Sequence, residues 1–363
     1  MNIKIRLIKL FDRLVGGIVV RLLPRSEVTC IGIPRSFLVI RPGGIGDAIH
    51  LVPMLQSLRK NYPLARITIL AERRNVGTFP LSSLAATVLC YDRPIEFLRA
   101  LLGSYDVVID SEQWHRLSAV VARVVRAPIR IGFSSNERQR LFTHVLPYSQ
   151  KSYEAEAFLS LLMPLECGLT SLSPFPWIKI SRQRQKESIS KFLAEDCERY
   201  VVLFPGASIK VRRWSAERFR RLAQGIKDMG WGVVVVGGRD DCVATEEICR
   251  DGCASDLSGK TSLAQTGAVI AGADLLVSGD SGILHLGVAL GVPTVSLFGP
   301  GIAEKWAPRG DHHLVVNLQL SCSPCTLFGM TPPCPNCLAC LSGISVDTVI
   351  DAVKKQLQQN GSD

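Results

Sequence analysis

Residues 37–60 read FLVIRPGGIGDAIHLVPMLQSLRK. The apolar run from Phe37 to Ile40 has the length and continuity of a strand buried on both faces. A Pro-Gly-Gly-Ile-Gly turn follows, and apolar residues then recur at helical spacing over 46–61. Strand, glycine turn and helix form the opening unit of a doubly wound α/β domain. The turn fails the dinucleotide fingerprint, because Ile49 stands where the last small residue should be. Nor does the chain contain Gly-Lys-Ser/Thr in Walker spacing. A nicotinamide enzyme and a P-loop NTPase are therefore both disfavoured. In their place stand an acid, Asp47, and a histidine, His50.

Working outward, strands are expected over 66–71, 107–110 and 129–132, alternating with helices. Residues 170–185, TSLSPFPWIKISRQRQ, have no long apolar period and read as a linker. A second cycle then begins, with strands over 200–204, 232–236, 274–278 and 294–298. The expected fold class is α/β, two doubly wound domains facing a cleft. The expected division is a basic arm over 1–35, domains over 36–180 and 181–345, and a C-terminal helix and tail over 346–363. The length of 363 residues suits two domains, and 47% hydrophobic with 20% charged residues belongs to a globular chain. The formal charge of +10 favours anionic partners.

Three loops of the second half lie where strands end, the place where open α/β sheets bind ligands. In FPGASIKVRRWSAERF (204–219), Gly206 and Ala207 permit close backbone approach, Ser208 offers a hydroxyl, and Lys210, Arg212 and Arg213 supply charge for a phosphate. In VVVVGGRDDCVATEE (233–247), Asp240 or Asp241 suits ribose hydroxyls or a helix N-cap, and one role does not exclude the other. In LVSGDSGILHLGVALGVPTVSLFGP (276–300), Asp280-Ser281-Gly282 opens a helix whose N–H groups and dipole suit a diphosphate, with His285 in the first turn.

The first and third of these motifs, with LVIRPGGIGDAIHLVPML (38–55), resemble glycosyltransferase family 9, the ADP-heptose:lipopolysaccharide heptosyltransferases, in collinear order over 37–353. The resemblance implies a GT-B fold, with donor nucleotide on the C-terminal domain and acceptor on the N-terminal one. It implies inverting transfer from a nucleotide-diphosphate sugar with no metal required. It places the catalytic base on Asp47; the glycines of that turn, Gly44 and Gly46, and His50 after it are read as acceptor-side. It places donor contacts on Ala207, Ser208, Arg212, Asp241, Thr261, Asp280, Ser281, Gly282 and His285. The family often has Lys at Arg212, Glu at Asp241, Thr at Ser281 and a hydroxyl at Ala207. The implied partners are ADP-heptose or a similar nucleotide sugar and an anionic glycolipid, with no nucleic acid. Arg73, Arg74, Arg116 and Arg138 are acceptor-side candidates by charge alone.

The chemistry stands without the family name. Inverting transfer needs a base for the acceptor hydroxyl, and cations or N–H donors for the departing diphosphate. No Asp-x-Asp metal motif accompanies the loops.

Two features remain. MNIKIRLIKLFDRLVGGIVVRLLPRSE (1–27) mixes apolar and basic residues, is interrupted by Arg21, and is too short in its apolar run to span a bilayer. It reads as an amphipathic basic helix lying on an anionic membrane, or as a helix packing its apolar stripe on the protein itself. The expected place is cytoplasmic, peripheral on the inner face of the cytoplasmic membrane. Near the C-terminus, Cys322, Cys325, Cys334, Cys337 and Cys340 have spacing suited to a structural zinc or iron–sulfur group, or to packed or redox-active thiols. A basic zinc-binding nucleic-acid module and a GT-B nucleotide-sugar epimerase are the alternative functions. The glycine loops and the lack of interleaved aromatic and basic residues oppose the former.

Overall fold

The computed structural model describes residues 10–27, 32–166, 171–193 and 199–360. The first nine residues of the basic arm, Thr170 of the expected linker and the last three residues lie outside these ranges. The chain divides into two compact units, Met1–Ser173 and Pro174–Asp363.

The N-terminal unit begins with a π-helical turn, Asp12–Gly16, running into α1 (Gly17–Leu22). Then come β1 (Ser36–Arg41), α2 (Ile45–His50), α3 (Val52–Asn61), β2 (Arg66–Ala71), β3 (Thr87–Cys90) and α4 (Pro94–Leu102). It closes with β4 (Val107–Asp110), α5 (Arg116–Val124), β5 (Ile129–Phe133), β6 (His144–Leu146) and α6 (Glu154–Ser160). The single helix expected over 46–61 is broken at Leu51, and Pro53 stands in the first turn of the second piece, where its missing N–H costs nothing.

The C-terminal unit starts with α7 (Arg182–Phe192), β7 (Tyr200–Phe204), α8 (Ala216–Asp228), β8 (Gly232–Val235), α9 (Cys242–Cys249) and β9 (Ser255–Asp256). It continues with α10 (Leu263–Ala271), β10 (Leu275–Gly279), α11 (Gly282–Ala289), β11 (Thr294–Leu297), α12 (Ala303–Trp306) and β12 (His313–Val316). The last elements are α13 (Ala339–Ser342) and α14 (Val346–Asn360). Helix α7 begins within the residues read as linker and runs on past them. Its sequence RQRQKESISKF is nearly all polar, but Ser181 caps its start and one side packs on α10.

Both sheets are six-stranded and parallel, in the orders β3-β2-β1-β4-β5-β6 and β9-β8-β7-β10-β11-β12. These are the same doubly wound order. The winding reverses between β1 and β4 in one unit and between β7 and β10 in the other, so ligand crevices are expected beyond the carboxyl ends of those strands. Register supports this, pairing Ile40 with Asp110 and Phe204 with Ser278. Each sheet is sealed by helices; Leu51, Leu55, Leu58 and Phe158 cover one face of the first, and Leu222, Ile226, Val349 and Val353 cover a face of the second.

Candidate active site

In the N-terminal unit, β1 ends on Arg41, a guanidinium only 1% exposed. Its Nη1 donates to Ser111 O at 2.7 Å, and its Nη2 lies 3.3 Å from Glu112 Oε2 and 3.8 Å from Asp47 Oδ1. Burial acts to lower the Arg41 pKa, but Asp47, Glu112, Glu154 and Asp110 outweigh it and hold the cation above its ordinary range. Burial likewise opposes ionisation of Glu112. His115, whose Nδ1 is 2.9 Å away, together with Arg41 and Arg138 keeps that carboxyl well below the usual range. The crevice floor is thus a fixed array of charges.

Asp47 stands on this floor at the start of α2. Its Oδ2 accepts the Gly44 N–H at 2.9 Å, and its side chain is 26% exposed. The turn needs glycine at position 43, where φ is +114° and a Cβ would lie 2.9 Å from Asp47 Oδ2. Glu72, at the end of β2, accepts the Gly43 N–H at 2.8 Å and pairs with Arg74. Gly44 and Gly46 lie on the partly exposed side of the turn. The result is a carboxylate aimed from a rigid glycine turn, steadied by one backbone donor and a buried cation.

Several expected residues are placed elsewhere. His50 is 1% exposed, with its ring edge-on to Tyr153 at 5.2 Å, because α2 turns that side toward α6. Arg138 is wholly buried and paired with Asp110, so it serves the interior rather than an acceptor. Arg116 pairs with Glu137 at 2.7 Å.

In the C-terminal unit, the loops after β7 and β8 form a cavity of about 270 Å³ lined by Ala207, Ser208, Arg213, Gly238, Arg239 and Asp241. Arg213 ties the loops together, donating to Ala207 O at 2.9 Å and reaching Asp241 Oδ1 at 3.3 Å. Asp241 Oδ2 accepts the Gly238 N–H at 3.0 Å, the same three-residue reach that Asp47 makes to Gly44. Asp241 is therefore both a stabiliser of its own turn and a wall of the cavity. Thr261 lies outside this lining and shares a hydrogen bond with Thr266 Oγ1 at 2.8 Å.

After β10, Asp280 and Arg212 form an ion pair of 2.7 Å, with side chains 4% and 15% exposed. Arg212 Nε is buried and has no hydrogen-bond partner among the described residues. Ser281 caps α11, its Oγ accepting the Leu284 N–H at 3.1 Å and sharing a hydrogen bond with Ser278 Oγ at 2.9 Å. The N–H groups of the first turn and the Arg212 cation thus meet at the switch point, an arrangement suited to a diphosphate. His285 is 5% exposed, its ring centroid 6.0 Å from Trp306, and so sits within the packed side of the helix.

The cysteine loop braces this site. Cys325 and Thr326 N–H groups donate to Pro300 O, and Ser323 Oγ donates to Gly299 O. Burial, reinforced by neighbouring thiols, pushes the Cys325 and Cys340 thiols up and so favours their protonated form. Cys322, Cys334 and Cys337 are exposed. Among the described residues no three Cys, His, Asp or Glu side chains are arranged to hold a metal ion.

The sequence offered Asp47, Arg212, Asp241 and Asp280 as candidates but not Arg41, Glu112 or the bridging role of Arg213. The available signal for Arg41 was a cation directly ending an apolar strand before proline.

Comparison with known proteins bears on the family and the fold. The model of glycosyltransferase family 9 (heptosyltransferase) matches residues 95–331. Lipopolysaccharide heptosyltransferase 3 of Escherichia coli is 27% identical over 303 residues, covering 74% of this chain and 84% of its own. The structure of E. coli ADP-heptose lps heptosyltransferase II has a TM-score of 0.73 at 21% identity, covering 90% of this chain and 99% of that one. A glycosyltransferase family 9 structure from Veillonella parvula DSM 2008 has a TM-score of 0.74 at 24% identity, covering 90% and 97%. Two parallel sheets of identical winding, with phosphate-suited loops in one and a partly exposed carboxylate in the other, are thus those of a GT-B glycosyltransferase, and the chain belongs to glycosyltransferase family 9, the heptosyltransferases.

Proposed function

We propose that the protein transfers a heptose from ADP-heptose, with inversion, to an anionic glycolipid of the lipopolysaccharide core. Asp47 takes the proton of the acceptor hydroxyl as that oxygen attacks the anomeric carbon and the bond to the diphosphate breaks. Arg212 and the first-turn N–H groups of α11 receive the negative charge that develops on the leaving ADP. Asp280 orients Arg212, Asp241 meets the ribose, and Ala207 and Ser208 approach the donor through backbone and hydroxyl. Thr261 stands on the adenine side. Gly44 and Gly46 leave room for the acceptor, which brings the lipid to the inner face of the cytoplasmic membrane, where the protein docks peripherally.

The observation that carries this reading is the Asp47 carboxylate, held by Gly44 over the buried Arg41 with its outer side open. Membership of a transferase family favours it over an epimerase or a nucleic-acid module. Incubation with ADP-heptose and a Kdo-bearing lipid is the test. Wild type is expected to transfer sugar, and Asp47→Asn to lose about a hundredfold or more in kcat. Equal transfer by the variant would refute the base assignment. ADP, and not UDP, is expected to raise the melting temperature.

A further inference from the structure

The arm over 10–22 is fixed to the N-terminal unit by its polar and small face. Asp12 is 4% exposed, and its carboxylate accepts the N–H groups of Arg116 at 2.8 Å and Leu117 at 2.9 Å, capping α5 from another element. Four residues on, Gly16 lies against α5 so closely that a Cβ would stand 3.0 Å from that of Arg116. Four further on, Val20 is fully buried. This Asp12–Gly16–Val20 stripe sets the rotation of the helix.

The opposite stripe consequently faces outward. Leu10, Leu14, Ile18 and Leu22 recur every four residues and are 51%, 57%, 57% and 79% exposed. A helix packed for stability alone would bury that side. The alternative in which the arm packs its apolar stripe on the protein is overturned for the described residues, because a buried carboxylate and a glycine occupy the contact.

A second helix repeats the pattern. On α4, Ile95, Leu98 and Leu102 lie on one face and are 79%, 54% and 73% exposed, while Ala100 is buried. Val20, Ala100, Ala119 and Ala122 belong to one core cluster, so α1, α4 and α5 cover the same side of the first sheet. Ten of the nineteen exposed large hydrophobics among the described residues lie on the arm, α4 and α5, too concentrated for scattered surface residues. Exposed arginines surround them: Arg13, Arg21 and Arg25 on the arm, Arg99 on α4 and Arg126 after α5. Asp12 is spent on the cap, Glu137 is paired with Arg116 and Arg21, and Glu96 of α4 with Arg93, which leaves Glu27 as the exposed acid of the described arm against these five arginines. No described helix is long and apolar enough to cross a membrane.

We propose that the outward sides of the N-terminal helix and α4 form one docking face that lies in the headgroup boundary of an anionic phospholipid membrane. Apolar side chains enter the acyl boundary while the arginines meet lipid phosphates. This deepens the membrane contact proposed above by naming its surface, and it adds α4, which the sequence did not suggest. It rests on exposure and charge, not on the donor site.

The test is flotation of the full-length protein with vesicles of phosphatidylcholine alone or mixed with phosphatidylglycerol. Wild type is expected to float with the anionic vesicles and far less with the neutral ones. The pairs Leu14→Asp with Ile18→Asp, and Leu98→Asp with Leu102→Asp, are each expected to lower binding about tenfold or more. Both are expected to keep the wild-type thermal shift with ADP, which shows that they fold and separates this proposal from the donor reading. Full binding by the α4 pair would overturn the composite face. Equal flotation with neutral vesicles would overturn the role of charge. Failure of wild type to float, with a dimer in size-exclusion chromatography that either pair dissociates, would reassign the face to a second copy and overturn the proposal.

Discussion

At the scale of single residues, the site depends on side chains that hold other groups in place. Arg41 is the clearest case, since it neutralises Glu112 and steadies Asp47 while being 1% exposed. Arg41→Met is expected to destabilise the fold by about 3–5 kcal/mol in urea unfolding, because it strands buried carboxylates without their cation. Arg213 is the counterpart in the donor unit. Arg213→Ala is expected to weaken ADP binding about tenfold by calorimetry, with little rescue by Lys. One ammonium cannot reproduce the separated contacts to Ala207 O and Asp241 that a guanidinium makes. The sequence showed an aspartate after glycines and an arginine in a basic loop. It did not show which arginine holds the loops together, because that depends on two strand ends meeting in space.

At the scale of elements, α11 has two tasks that share one residue. Ser281 satisfies the Leu284 N–H and leaves the first turn of an otherwise buried helix presented at the switch point. Ser281→Ala is expected to cost about 1 kcal/mol of stability by denaturant titration and to raise the KM for donor. Strands and helices with strong apolar period were readable from sequence, as over 37–41 and 200–204. Helix α7 was not, because a surface helix with one buried edge has almost no period to read. The arm was readable as amphipathic, yet its rotation was not. That was set by Asp12 and Gly16 fitting the start of α5.

At the scale of the whole molecule, buried ionisable groups set how stability varies with pH. His313 packs against Phe175 and hydrogen-bonds Thr294; burial, then His312, push its pKa from 6.5 to about 4. The unfolded chain therefore binds the proton first, and stability present above pH 6.5 is lost as pH falls toward 4. Glu72 and Glu112 are held below their ordinary value of 4.5, so their contribution is present above that pH and is lost on further acidification. Asp110, raised by burial, offsets part of this lower limb. Melting temperature is thus expected to fall in two stages, and His313→Gln to flatten only the upper one. A single acid transition unaffected by that variant would contradict the assignment.

The sequence by itself determined two doubly wound α/β units and supplied, at their strand ends, Asp47, Arg212, Asp241 and Asp280 as candidates. Apolar period and glycine turns are local properties, and each survives without knowledge of its neighbours. The tertiary structure decided which charges are buried partners and which remain available. It sent His50 and Arg138 inward, joined two loops through Arg213, and turned the apolar stripe of the arm away from the core. Those outcomes depend on pairings between residues dozens of positions apart, as between Asp12 and Arg116 or Arg41 and Glu112, and the energy of such a pair exists only once the chain has brought its members together.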